Sequence, residues 1–134
     1  MLMSSNTPER ARKWLNYIAG RPEFPRGSRL LSAFSAGEIT RLCDCGCNRF
    51  DLELPDDTDV EPIATANDRY GAVFQLDVPL RNEPFEMNFI VFASKRGHLA
   101  GIDVDYNGNT LPVPDDPDLL DVPSRVEVAH SLLR

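Results

Sequence analysis

The hydrophobic positions change period once along this chain. From residue 8 to residue 37 they recur at helical spacing; from residue 50 to residue 106 they alternate. Ala11, Trp14, Leu15 and Ile18 form one apolar stripe. Thr7-Pro8-Glu9 before it supplies a capping hydroxyl, a proline suited to the first helical position and an acid at the positive end of the dipole. Gly20 suits the C-terminal cap and Pro22 stops continuation, so the pattern predicts a helix over about 8–19. Ser28 opens a second, shorter helix, with Leu30, Leu31 and Phe34 inward and Gly37 ending the run.

Beyond this point the side chains alternate. Phe50, Leu52 and Leu54 are interleaved with Asp51 and Glu53, the mark of a half-buried strand closed by Pro55-Asp56-Asp57. Ala72, Phe74, Leu76 and Val78 alternate with Val73, Gln75 and Asp77 in a second. Residues 85–93 are nearly all apolar, which predicts a central strand covered on both faces. In the stretch from Leu99 to Tyr106, Ile102, Val104 and Tyr106 point inward and Asp103 and Asp105 outward. The turns Arg81-Asn82-Glu83-Pro84 and Lys95-Arg96-Gly97 are short, so strands 71–80, 85–94 and 98–106 form an antiparallel meander. Asn107-Gly108-Asn109 tolerates left-handed backbone and ends it. Leu111 to Pro117 carries too much proline for a central strand. Residues 122–133 are expected to form a last amphipathic helix, with Ser124 capping and Val126, Val128, Leu132 and Leu133 partly buried.

The whole is one domain, 1–134, of α+β class: a helical part over 7–37 packed on one face of an antiparallel sheet over 39–106, then a tail rich in proline and aspartate with the C-terminal helix. At 134 residues such a chain buries roughly two thirds of its unfolded surface and needs no disulfide or metal merely to fold. No apolar run approaches the ~18 residues of a membrane span. Met1 to Asn6 shows no secretory pattern, and three cysteines are an odd count for a disulfide framework, so the expected compartment is the cytoplasm.

Charge narrows the partners. The net charge is −7, which disfavours nucleic acid. It is uneven: residues 1–41 carry seven basic and three acidic side chains, residues 42–134 seven and eighteen. The basic N-terminal segment is expected to pack against the acidic body, which is also suited to a protein partner with a basic surface.

All three cysteines fall in Leu42-Cys43-Asp44-Cys45-Gly46-Cys47-Asn48. At i, i+2 and i+4 on a strand they would share a face with Asp51 and Glu53; a bulge or turn at Gly46-Cys47-Asn48 would flip the register, and those residues suit one. Four uses stay open. The thiols can be packing, since cysteine behaves as a small hydrophobe. They can ligate zinc, with a fourth ligand from His98, His130, Asp44 or Asp51. Two of them can form a reversible disulfide, though no helix start follows to activate a thiol. One can be a nucleophile if His98 approaches as its base.

Arg29-Leu30-Leu31, the Cys43–Cys47 run followed by Phe50-Asp51-Leu52-Glu53, Gly97-His98-Leu99 to Val104, and Leu111-Pro112-Val113-Pro114 with Leu119 carry a resemblance. Over about residues 29–120 the chain resembles a group of small uncharacterised bacterial proteins with a C-x-C-G-C motif, a domain of unknown function. Asn48 and Asp103 depart from that pattern, which more often has a proline or small residue and a glutamate there. That group looks like the compact α+β immunity partners encoded beside secreted toxins, which implies a binding role.

Elsewhere the signals are bland. Asp115-Asp116-x-Asp118 with Asp121 lacks the calcium-loop pattern, and Asp56-Asp57-x-Asp59-x-Glu61 reads as a surface loop. Asp103 and Asp105 share a strand face ~7 Å apart. With two histidines and no phosphate loop, nucleophile elbow or metalloprotease motif, no catalytic set is complete. The expectation is therefore a non-catalytic module that binds a basic protein partner through Asp103 and Asp105. A zinc or thiol-redox protein built on Cys43, Cys45 and Cys47 is the alternative, and a small-ligand pocket lined by Trp14, Phe34 and Phe89 a third.

Overall fold

The computed structural model describes residues 6–134; residues 1–5, most of the stretch that shows no secretory pattern, lie outside the described residues. Two helices, α1 (Pro8–Ala19) and α2 (Ser28–Ala36), precede six strands: β1 (Glu38–Leu42), β2 (Phe50–Glu53), β3 (Gly71–Pro79), β4 (Glu86–Ala93), β5 (Leu99–Tyr106) and β6 (Arg125–Val128). They form one antiparallel sheet in the order β1-β2-β5-β4-β3-β6, an α+β arrangement with the helices at the N-terminus. Among the described residues no helix is long and apolar enough to cross a membrane.

The helices form where their caps and stripes dictate. The Thr7 hydroxyl accepts from the Arg10 amide, Pro8 takes the first position, and Ala11, Trp14, Leu15 and Ile18 are buried. In α2, Leu30, Ala33 and Phe34 are buried while Leu31 stays exposed, so its inward stripe is narrower than expected. The helices cover one sheet face. Trp14 meets Phe89 at 5.5 Å between ring centroids, and Phe34 meets Phe50 edge-on at 5.8 Å. The three rings expected to line a pocket are thus packed into the core.

The meander is antiparallel as expected, its ladders broken by irregularities between Ala72 and Phe74 and between Phe92 and Ala93, and Asn107, Gly108 and Asn109 all take positive φ at its end. At β4 the covering differs from the sequence expectation. The strand is interior to the sheet, yet only Met87, Phe89, Val91 and Ala93 are fully buried; Asn88, Ile90 and Phe92 on the other face are half-buried. That second face is a polar shelf. On it Asp77 is buried and accepts from the side-chain amides of Asn88 and Gln75.

The largest correction is at the C-terminus. Residues 125–128 are a strand, not part of a helix. Ser124 does not cap; its amide donates to the Asp77 carbonyl and its hydroxyl to Glu86. Val126 and Val128 are β-branched at a spacing of two, and the open edge of β3 offers them a ladder, Leu76 opposite Val126 and Phe74 opposite Val128. A helix of about twelve residues is marginal by itself and gives way to that ladder.

Candidate functional site

The cysteine segment is the connection between β1 and β2, a loop over residues 43–49. The register does break there, as Gly46-Cys47-Asn48 suggests. Gly46 sits at φ +107°, where a side chain would be strained, and its carbonyl accepts from the Val113 amide at 2.9 Å. The turn splits the thiols by depth: Cys43 half-buried, Cys45 exposed, Cys47 buried.

The loop is held at its neck and along its inner side. The Cys43 amide donates to the Arg49 carbonyl at 3.0 Å. Asn6 donates its side-chain amide to the carbonyls of both Cys43 and Arg49, at 2.8 and 2.7 Å. Asn48, 1% exposed, is the inner anchor. Its amide donates to Val104 on β5, and its side-chain oxygen accepts from Arg10 Nε at 2.8 Å and Trp14 Nε1 at 2.9 Å. Arg10 also donates to the carbonyls of Pro114 and Asp115, so one guanidinium ties α1, the cysteine loop and the proline-rich segment together.

This bracing converges the donors. Cys43 and Cys45 Sγ lie 2.8 Å apart, Cys45 and Cys47 Sγ 3.0 Å apart. Hydrogen bonds from the two flanking thiols favour the Cys45 thiolate and lower its pKa. Burial pushes the Cys47 thiol up, and its bond to Cys45 pushes the same way. Cys45 is therefore a readier thiolate than Cys47.

Beneath Cys47 lies β5. Among the described residues two sets of three metal-ligating side chains have their donor atoms all within 4.8 Å of one another: Cys43, Cys45 and Cys47; and Cys47, Asp103 and Asp105. They share Cys47 and no other residue. Antiparallel pairing of β2 with β5, Phe50 opposite Ile102 and Asp51 opposite Gly101, places the loop over these carboxylates. A Cβ on Gly101 would meet the Phe50 carbonyl oxygen at 2.6 Å, so glycine permits that close approach. Burial raises both carboxyl pKa values; Asp105, which also faces Asp103, is pushed up to about 6. Arg49 stands at the rim, its guanidinium 4.0 Å from Asp103 and 3.4 Å from Asp51, over the Phe92 ring and donating to the Tyr70 hydroxyl.

The structure thus brings together Cys43, Cys45, Cys47, Asp103 and Asp105. It brings in none of the fourth ligands expected from the sequence: His98, His130, Asp44 and Asp51 belong to neither set. His98 is buried in the β4–β5 turn, where burial and Arg96 hold its pKa below the ordinary value. Asp103 and Asp105 were visible as a pair; their meeting with Cys47 was not, because nothing local in the sequence says that β2 lies beside β5. No family model, no curated protein and no solved structure matches the chain.

Proposed function

We propose that this is a metal-binding protein whose cysteine loop holds a thiophilic divalent ion, zinc by chemical class, on Cys43, Cys45 and Cys47. The observation that carries the reading is the convergence of three thiol sulfurs on a loop braced by Asn6, Arg10 and Trp14. Thiolate is a preferred ligand for zinc, and three protein ligands leave one tetrahedral position open to water or another donor. Sulfurs on a tetrahedral zinc lie about 3.8 Å apart, given bonds of about 2.3 Å, so each neighbouring pair opens by under ~1 Å around the ion. The thiols must give up their protons, which Cys45 does more readily than Cys47.

The hydrophobic core cluster contains none of the three cysteines, so the ion is a local ligand and not the source of the fold. The same geometry favours this reading over a docking face at Asp103 and Asp105, since both carboxylates are half-buried beside Cys47 and Arg49. The test is a zinc titration of the reduced protein in competition with a chromophoric chelator. Zinc retained against the chelator, and lost in the Cys45→Ser/Cys47→Ser variant, is the expected result; a chelator that keeps all the zinc rejects the reading.

A further inference from the structure

The two donor sets overlap at one atom, Cys47 Sγ, and this has a coordination consequence. Donors on a single zinc ion, at about 2.0–2.3 Å from it, are at most about 4.6 Å apart. Each set meets that scale within itself, but Cys43 and Cys45 do not join Asp103 and Asp105 in a common set. One ion seated among the three sulfurs therefore leaves the carboxylates outside its shell.

Charge points the same way. Three thiolates and two carboxylates bring five negative charges to one half-buried place, and the cation beside them is Arg49, 4.0 Å from Asp103. Arg49 is also shared with Asp51, which it meets more closely, at 3.4 Å. With all five groups ionised and Arg49 balanced by Asp51, one divalent ion would leave a net charge of −3 there. Buried charge without compensation is costly. A second divalent ion brings the sum to −1.

We propose that the site holds two divalent metal ions bridged by the Cys47 thiolate: an outer ion on Cys43, Cys45 and Cys47, and an inner ion on Cys47, Asp103 and Asp105. This rests on the three-thiol reading above and adds a second, oxygen-rich position to it. A thiolate sulfur has lone pairs for two ions, and Cys47 is the buried member of the triad, directed between the loop and β5. The inner set, one sulfur and two carboxylate oxygens, suits zinc or cobalt with water completing the shell.

Native mass spectrometry of the reduced full chain, with zinc added stepwise, separates the outcomes. The wild type is expected to take two ions, and Asp103→Asn/Asp105→Asn to take one. A wild type that stops at one ion overturns the inner position and leaves the three-thiol reading standing. So does an Asp variant that still takes two, because the carboxylates would then have no role. A folded Asp variant that takes none overturns the three-thiol reading as well, because the carboxylates would then belong to the first ion. A wild type that takes up no zinc overturns both. Cadmium-113 NMR of the unaltered protein gives a check that needs no variant: two resonances at saturation, one sulfur-rich and one shifted toward the oxygen-ligand range. A single resonance would reject the bridged pair.

Discussion

Among the connections dense in metal-capable side chains, two make the sharpest pair, and only the first of them gathers those side chains. The loop over residues 43–49 holds three thiols; the segment over residues 114–121 holds Asp115, Asp116, Asp118 and Asp121. In the first, buried partners fix the backbone from several sides, through Asn6 to two carbonyls and through Asn48 to Arg10, Trp14 and Val104. In the second, the carboxylates point outward. Asp116 is 97% exposed and meets Lys13 only at 3.8 Å, and Asp118 pairs with Arg81 where both are mostly exposed. None of the four joins a ligating set. Donor density alone does not make a site; convergence requires a scaffold that keeps like-charged or polar atoms together against their hydration.

The sharpest break of this contrast is Cys47→Ser set beside Asp116→Asn/Asp118→Asn. Removing the shared, buried sulfur is expected to weaken zinc binding by roughly 100-fold or more, the scale of losing a ligand or its support. The Asp116/Asp118 variant is expected to bind within a factor of two of wild type. Chelator competition on both variants measures the difference, and an equal loss in the two would erase the distinction between the loops.

Next in size is the brace. Asn48→Ala leaves the buried Trp14 indole N–H and the Arg10 Nε without their shared acceptor. An unmet buried donor costs ~1–3 kcal/mol, so a loss of about 2–3 kcal/mol is expected in urea unfolding, together with weaker zinc uptake. Arg81→Ala, which removes the exposed pair to Asp118, is expected to change stability by less than ~1 kcal/mol. A stability loss at Asn48 with unchanged zinc affinity would separate the brace from the site.

The smallest effect lies in neither region and serves as their control. His98 is buried with its pKa held below the ordinary value by burial and by Arg96. The unfolded chain binds that proton more readily, so stability is full above the ordinary histidine value and falls as the pH drops through the folded one. His98→Gln is expected to flatten that part of the stability–pH curve below about pH 6.5 without altering zinc affinity. Thermal unfolding at a series of pH values reads it out; an unchanged slope would mean another group titrates there.

How much of this was legible in the sequence follows from how local each signal is. Both helices were, because Thr7-Pro8 and Gly37 mark their ends and the apolar stripe repeats within a few residues. The meander was too, since its turns are short and each has a residue suited to positive φ, Asn82 in one and Gly97 in the other. The break at Gly46 was readable from parity alone: Cys43, Cys45 and Cys47 would otherwise share a face with Asp51. What escaped was decided at a distance. Val126 and Val128 fit a helix or a strand, and the free edge of β3 settled it. Asp103 and Asp105 looked like an outward-facing pair on a strand; the pairing of β2 with β5 put Cys47 over them. Asn48, which the sequence placed only in the turn, is the inner anchor of the loop because Trp14 and Arg10 arrive from a helix more than thirty residues earlier.

The most direct test of the three-thiol centre is X-ray absorption at the zinc edge of the reduced protein loaded with one equivalent of zinc. The account predicts a dominant sulfur shell at about 2.3 Å with a minor oxygen or nitrogen contribution near 2.0 Å. A first shell of oxygen and nitrogen alone would show that the ion sits elsewhere, and would contradict the claim that this loop is built to hold metal.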